Sequence, residues 1–194
     1  MKKRRYKKAL RAENEEQTRQ RIIEAAMTLH EKLGPANTSI KAIAEQAGVQ
    51  RLTVYRHFQD ETSLFQACTS HWLACHPPPA VEEWSEITDT ARKRLAAFSS
   101  LYRYYRETQK MWHASYRDAE KVAALRKPMS DFEKYLDSIR DELAGPPGSK
   151  SGGKESIRIT LRHALRFSTW QSLNQEKLSD DKMAELVTSW LQSL

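Results

Sequence analysis

Apolar residues recur at intervals of three and four along most of the chain, which places them on one face of an α-helix. In the first such segment Ile22, Ala26, Leu29 and Leu33 form a stripe, and Gly34 is a residue type that commonly ends a helix. Strand-like alternation is absent, and the long segments without Gly or Pro are rich in Ala, Leu, Arg, Glu and Lys. The pattern predicts an all-α protein of about nine helices.

Capping residues and the positions of Gly and Pro set the predicted helix boundaries. The second helix begins after a Thr38 or Ser39 cap, and Gly48 ends it. Prolines at 77–79 end the fourth helix, and the glycine-rich segment 145–153 is expected to be a flexible loop. The predicted helices span residues 18–33, 40–47, 51–58, 60–75, 89–107, 110–117, 128–143, 155–173 and 180–194.

Residues 39–58 have the spacing of two short helices that cross at a tight turn. Ala44 provides a small residue at the crossing point, Gly48 follows four positions later, and Val54 anchors the second helix from inside. The turn needs a backbone with positive φ, which glycine adopts without steric cost. This spacing predicts a helix-turn-helix, for which the alternative is an ordinary helical hairpin with a glycine corner.

The segment 18–65 resembles the DNA-binding domain of the tetracycline-repressor (TetR) family. The similarity lies in TRQRIIEAAMTLHEKLG, TSIKAIAEQAGV and TVYRHFQDETSLF, of which the run 55–58 is the most specific. LYRYYRETQKMW and FSTWQSLNQEKLSDDKMAELV resemble the regulatory domain of the same family more loosely. We therefore expect a basic, flexible arm over 1–17, a three-helix helix-turn-helix DNA-binding domain over 18–66 and a helical ligand-binding and dimerisation domain over 67–194.

The exposed face of the third helix has the side chains that read base edges. Arg51 suits a guanine, Gln50 an adenine, and Leu52 or the Thr53 methyl a thymine methyl group. The resemblance implies phosphate contacts at Tyr55 and at the two positions after it, and a second phosphate cluster at the start of the second helix. The predicted DNA contacts are Ser39, Lys41, Gln50, Arg51, Leu52, Thr53, Tyr55, Arg56 and His57, together with Lys3, Arg4 and Arg5 of the arm.

The positive charge of the chain is concentrated at one end. The net charge is +7, and residues 1–11 contain seven of the 32 Lys and Arg residues and no acidic residue. Such a segment binds nucleic acid through counterion release, or else is a solvated, disordered end. Glu61 departs from the TetR pattern, which usually has a lysine there, so one expected phosphate contact is missing and the arm is expected to compensate.

The resemblance also implies a regulatory half that binds an effector and forms a homodimer through the last two helices. The predicted effector pocket consists of Phe98, Tyr102, Tyr105, Trp112, His113, Tyr116, Phe167 and Trp170, for which the alternative is an ordinary aromatic core. The predicted dimer interface consists of Ile157, Leu161, Leu165, Leu186, Val187 and Trp190. A two-fold dimer implies a pseudo-palindromic operator.

Other functional classes lack their sequence signatures. No GxSxG, HExxH or phosphate-binding glycine loop is present, so we expect no enzyme activity and no cofactor. Cys68, His71 and Cys75 share one face of the fourth helix, and His76 follows it, but one straight helix cannot close a tetrahedral metal site. No apolar run is long enough for a membrane helix, and no signal peptide is apparent. Two unpaired cysteines suit a reducing compartment. We therefore expect a cytoplasmic protein.

The sequence thus predicts a homodimeric repressor that a small apolar or aromatic molecule releases from its operator DNA. The alternative is a DNA-binding protein of the same fold without a small-molecule ligand, controlled by a protein partner or by its abundance.

Overall fold

The computed structural model describes residues 2–145 and 153–192, with side chains described except at positions 2–5, 7, 8, 153 and 154. These residues form ten α-helices and two short 3-10 turns, which confirms the predicted all-α class. Most of the segment expected to be a flexible loop, residues 146–152, lies outside the described residues. The helices are α1 (Lys2–Leu33), α2 (Ile40–Ala47), α3 (Arg51–His57), α4 (Glu61–Cys75), α5 (Glu82–Ser85), α6 (Thr90–Asp118), α7 (Arg126–Ala144), α8 (Gly153–Ala164), α9 (Phe167–Gln175) and α10 (Asp180–Trp190).

The first helix is longer than predicted. It begins at Lys2 rather than at Thr18, so the segment expected to be a flexible arm continues α1. Residues 2–17 contain neither Gly nor Pro and are rich in Lys, Arg, Glu and Ala, which favour helix. The Thr18 hydroxyl donates to the Asn14 carbonyl one turn earlier, at 2.8 Å, and therefore does not cap a helix start.

Two other helix boundaries differ from the prediction. The segments predicted as helices 89–107 and 110–117 are one continuous helix, α6, since nothing between them breaks a helix. The single helix predicted over 155–173 is instead two helices, α8 and α9, with an extended residue, Arg166, between them. The break lies between the buried Leu165 and the buried Phe167, so tertiary packing decides it without any Gly or Pro.

The chain divides into two compact units. The first contains residues 1–76 together with 113–126, and the second contains 77–112 and 127–194. This division by contacts differs from the predicted boundary at 66/67, since all of α4 lies in the first unit. The last turns of α6 also belong to the first unit, although they are distant from it in sequence.

The core of the first unit is built from one face of each of its helices. Ile22 of α1, Ile43 of α2 and Val54 of α3 are almost completely buried. Leu64 and Cys68 of α4 complete this core from the other side. Burial of these apolar side chains is the main stabilising contribution to the unit.

The second unit is built around α6. The Tyr102 hydroxyl donates to the Ala164 carbonyl at 2.7 Å, and the Tyr105 hydroxyl donates to the Leu165 carbonyl at 2.8 Å. Both hydroxyls thus satisfy carbonyl groups at the end of α8 that lack helical partners. Arg106 pairs with both carboxylate oxygens of Asp180, at 2.9 and 2.8 Å, and so joins α6 to the start of α10.

A buried histidine makes the stability of the first unit depend on pH. His30 is buried beside Phe65, with ring centroids 5.3 Å apart. Burial lowers the pKa of His30 from 6.5 to about 4, because the protonated ring would lose its hydration. The unfolded chain therefore takes up this proton at a higher pH than the folded chain. The stability contribution is complete above pH 6.5 and is lost as the pH falls towards 4.

We predict that lowering the pH from 7 to 5 decreases the free energy of unfolding of the wild type by about 2 kcal/mol more than that of a His30→Leu variant. Urea titrations at both pH values measure this difference. His163→Leu, which removes an exposed histidine, serves as the control and should retain the wild-type pH dependence. Equal pH dependence in all three proteins would show that His30 is not buried in its neutral form.

Candidate nucleic-acid interface

The turn between α2 and α3 has the geometry of a helix-turn-helix. The Ser39 hydroxyl caps α2 by accepting a hydrogen bond from the Ala42 amide at 3.2 Å. Gly48 lies in the left-handed region, with φ 65° and ψ 39°, and the Val49 amide donates to the Ala44 carbonyl at 2.9 Å. The left-handed residue ends α2 and lets the chain reverse into α3 within a few residues.

One face of α3 is buried and the opposite face is exposed. Val54 is 1% exposed and Phe58 4% exposed, and both pack in the core with Ala44. On the other face Leu52 is 77% exposed and Tyr55 43% exposed. The buried face fixes the orientation of α3, so the exposed face projects from the unit as a rigid surface.

The structure brings most of the predicted DNA contacts together on α3 and the start of α2. Thr53 and His57 are half-buried, and Lys41 lies 3.9 Å from Glu45 in an exposed ion pair. The side chains of Lys3, Arg4 and Arg5 lie outside the described residues. The exposed members of the set are Ser39, Lys41, Gln50, Arg51, Leu52, Tyr55 and Arg56. We call these seven residues the recognition surface.

The environment of the His57 ring limits the phosphate contact predicted for this residue. Its Nε2 atom is enclosed by the protein and makes no hydrogen bond within the described residues. In this ring orientation only Nδ1 of His57 is available for the predicted phosphate contact.

The start of α4 carries two carboxylates where the TetR pattern has a lysine. Asp60 and Ser63 form a capping box, in which an Asp60 carboxylate oxygen accepts from the Ser63 amide at 2.7 Å. Glu61 follows as the first helical residue and is exposed. A free helix N-terminus binds phosphate, but here the Asp60 carboxylate takes that place. This capping box was not predicted, because Ser63 stands where the usual pattern has Glu or Gln.

The residues predicted to form an effector pocket do not all lie in one unit. Phe98, Tyr102, Tyr105, Trp112, Phe167 and Trp170 are buried side chains of the second unit. The Tyr105 ring centroid lies 5.3 Å from that of Phe167 and 6.0 Å from that of Trp170, so these residues form a packed aromatic cluster. His113 and Tyr116 belong to the first unit.

Half of the residues predicted for the dimer interface are core residues. Leu161, Leu165 and Val187 are 1% exposed or less, because the main apolar stripe of each helix faces its own unit. Ile157 and Trp190 are half-buried. The exposed apolar side chains on α8 and α10 are Ile159, at 58%, and Leu186, at 38%. Ile159 was not among the predicted interface residues, because it lies off the apolar stripe of α8.

The two cysteines are in different environments. Cys68 is buried, with its Sγ 3.7 Å from the Ile23 carbonyl oxygen, and burial raises the pKa of its thiol to about 12. Cys75 is exposed and its Sγ lies 3.7 Å from His71 Nε2. The described residues contain no group of three or more side chains suited to hold a metal ion. Among the helices described here, none is long and apolar enough to cross a membrane.

Comparisons with known proteins agree with the geometry of the first unit. Residues 22–68 match the family model of bacterial regulatory proteins of the tetR family. The transcriptional regulator AcrR of Shigella flexneri is 42% identical over 50 residues, which are 26% of this chain and 23% of AcrR. TtgR of Pseudomonas putida is 46% identical over 55 residues, which are 28% of this chain and 26% of TtgR. The chain thus spans about a quarter of the length of these curated relatives.

Solved structures extend the similarity of fold to most of the chain. A TetR-like transcriptional regulator from Rhodococcus superimposes with a TM-score of 0.65 and 18% identity, over 90% of this chain and 93% of that one. The predicted resemblance to the TetR family is therefore confirmed, in sequence for residues 22–68 and in fold for the larger part of the chain. The relatives described are transcriptional regulators, in agreement with the expectation that this chain is not an enzyme.

We predict that Glu61→Lys strengthens binding to duplex DNA several-fold at about 0.1 M salt and steepens the salt dependence by about 0.9 in log–log slope. The lysine replaces a charge that repels the phosphate backbone with one that binds it. Fluorescence anisotropy of labelled duplexes measures both quantities. Glu176→Lys makes the same charge change at an exposed site of the second unit and is the matched control. Equal gains in both variants would mean that total charge, not a contact at residue 61, determines the affinity.

Proposed function

We propose that this chain of the TetR family is a sequence-specific DNA-binding transcriptional regulator, a homodimeric repressor that a small apolar or aromatic molecule releases from its operator. The observation that carries the proposal is the recognition surface, which projects from a helix whose opposite face is locked in the core by Val54 and Phe58. We infer that the protein is cytoplasmic, because a regulator that binds operator DNA must be in the same compartment as that DNA.

The recognition surface has separate groups for bases and for phosphates. Arg51 has the paired donors that match a guanine edge, and Gln50 can both donate to and accept from an adenine. Leu52 has no polar atom to satisfy, and burying it against a thymine methyl group removes an exposed apolar side chain from water. The phosphate contacts come from Tyr55 and Arg56 at the end of α3 and from Ser39 and Lys41 at the start of α2.

The basic start of α1 supplies a second, sequence-independent attraction to DNA. It carries seven cationic residues between positions 2 and 11, among them Lys3, Arg4 and Arg5. Since this segment is part of α1, less chain ordering is needed for it to lie along the phosphate backbone than for a flexible arm. We infer that it offsets the repulsion by Glu61.

The dimer forms through α8 and α10 in this proposal. The exposed Ile159 and Leu186, with the half-buried Ile157 and Trp190, supply the apolar side chains that such an interface buries. A two-fold axis then presents two recognition surfaces to half-sites about one DNA turn apart.

We infer that the effector binds beside the aromatic cluster of the second unit, against the side of the cluster formed by Tyr105, Phe167 and Trp170. Aromatic side chains with a few polar tips favour a small apolar or aromatic molecule. Such a ligand releases the operator only if it binds the form that does not bind DNA more tightly.

Footprinting on the DNA upstream of its own gene, at about 0.1 M salt, tests this proposal. We predict a protected pseudo-palindrome of two half-sites for the wild type, and its loss in Arg51→Ala and in Tyr55→Ala. Arg103→Ala, which removes an exposed arginine of the second unit, is the control and should protect the same site. Uniform coating without a discrete footprint, unaffected by these variants, would contradict sequence-specific recognition by α3.

The same footprint distinguishes control by a small-molecule effector from control by a protein partner or by abundance. Release of the operator by small aromatic compounds, together with a change in tryptophan fluorescence, supports the effector proposal. If a panel of such compounds changes neither signal, the result favours the alternative, a DNA-binding protein of the same fold that is controlled by a protein partner or by its abundance.

We predict that replacing the seven Lys and Arg residues of 2–11 with Gln weakens operator binding and flattens its salt dependence, by about 0.9 in log–log slope for each cation that contacts a phosphate. Glutamine is also a good helix former, so α1 is retained while its charge is removed. Circular dichroism checks the helix content, and a salt titration measures the slope. An unchanged slope would show that the basic segment does not contact DNA.

A further inference from the structure

The corner between α1 and α2 is held from outside the helix-turn-helix. Gly34 ends α1 with φ 88°, in the left-handed region, and the short 3-10 turn Pro35–Asn37 leads to the Ser39 cap of α2. Two groups of this corner bond to residues from the end of α6. The Leu33 carbonyl accepts from Arg117 Nη2 at 2.8 Å, and the Ala36 amide donates to Asp118 Oδ2 at 3.0 Å.

Arg117 and Asp118 are also paired with each other. Arg117 Nε donates to Asp118 Oδ1 at 2.9 Å, and Arg117 Nη2 donates to Asp118 Oδ2 at 3.1 Å. The corner thus bonds to a single planar unit of guanidinium and carboxylate, whose geometry is fixed by two parallel hydrogen bonds.

The pair lies directly on Gly34. A Cβ atom at this position would lie 1.7 Å from Arg117 Nη2 and 2.3 Å from Asp118 Oδ2. The positive φ favours glycine here, and any larger residue would also have to displace the Arg117–Asp118 pair. No sequence pattern links residue 34 to residues 117 and 118, which are more than 80 positions away.

The Asp118 carboxylate is buried and ionised. It is 1% exposed, and the hydrogen bond from Arg117 is the main cause that lowers its pKa below the ordinary value, against the opposing effect of burial. The Ala36 amide and the charge of Lys121 act in the same direction as Arg117. The Ala36 amide is a further hydrogen-bond donor to this buried carboxylate, and losing it would leave one Asp118 oxygen bonded to Arg117 alone.

The segment 113–126 makes a second contact within the first unit, this time with α4. The 3-10 turn Ala123–Leu125 packs against α4, and Leu125 is 3% exposed. Residues 113–126 therefore contact both the corner before α2 and the helix after α3, although they contribute none of the predicted DNA contacts.

We infer that Asp118 and Arg117 are positioning residues for DNA recognition: they fix the α1–α2 corner, and through it the placement of α2 and α3 against the operator. The inference rests on the proposed function. The corner ends only a few residues before Ser39, the first residue of the recognition surface, so a shift of the corner moves α2 as a whole. Reading base edges depends on sub-ångström placement, whereas non-specific attraction to phosphates does not.

The test compares Asp118→Ala, Asp118→Asn and Arg117→Ala with a Glu120→Gln control, which removes an exposed carboxylate two residues away. The Asp118 side chain is buried, so its replacement can prevent folding, whereas the Arg117 side chain is largely exposed and its removal should be tolerated. Arg117→Ala therefore tests the inference even if the Asp118 variants do not fold. For each protein we measure the affinity for the footprinted operator, the affinity for duplex DNA of unrelated sequence, and amide hydrogen exchange at Ala36 and Ile43.

We expect Asp118→Ala and Arg117→Ala to bind the operator about tenfold more weakly, with affinity for unrelated DNA changed less than about twofold. In Asp118→Ala the Ala36 amide should exchange faster, while the Ile43 amide inside α2 stays protected. Asp118→Asn keeps an acceptor for Ala36 but loses the charge that pairs with Arg117, so its operator affinity should be intermediate. Glu120→Gln should match the wild type.

Two results would overturn the inference while the proposed function stands. One is wild-type operator affinity in Asp118→Ala although Ala36 exchanges fast. The other is a parallel loss of both DNA affinities and of Ile43 protection, which would mean a purely structural role. If the wild type itself forms no footprint, the proposed function fails first, and this inference fails with it.

Discussion

The recognition surface depends on the burial of the opposite face of one short helix. A seven-residue helix has too few internal hydrogen bonds to be stable alone, so α3 holds its shape because Val54 and Phe58 are buried in the core. The small Ala44 side chain lets α3 approach α2, and the left-handed Gly48 lets the chain turn between them. A change in this packing would move every exposed side chain of α3 together, since they share one rigid backbone.

Electrostatics divides the first unit into regions with different effects on DNA. The start of α4, with Asp60 and Glu61, repels phosphate and gives up the attraction that a helix N-terminus normally offers. The start of α1 is strongly cationic, and charge of this kind attracts DNA of any sequence at long range. In the proposed function only the recognition surface, on α3 and the start of α2, discriminates among sequences. The proposal thus assigns general affinity and sequence specificity to different helices.

The second unit shows how polar groups on aromatic side chains organise a helical core. Tyr102 and Tyr105 bury their rings and still satisfy the carbonyls of Ala164 and Leu165 at the end of α8. Because these hydroxyls replace the missing helical hydrogen bonds, α8 can end and α9 can begin without a Gly or Pro. Phe167 and Trp170 then turn into the aromatic cluster. The same packing leaves Ile159 and Leu186 as the apolar surface of this unit.

Local spacing in the sequence is enough to specify the all-α class and the helix-turn-helix, because these depend on a capping Ser39, a left-handed Gly48 and a 3.6-residue period. The same spacing predicts candidate DNA contacts, but the packing of α3 leaves some of them exposed and Thr53 and His57 half-buried. Tertiary packing decides which apolar faces of α8 and α10 point inward and where the units divide. It alone brought Asp118 to Gly34, because contacts between distant segments leave no periodic trace in a single sequence.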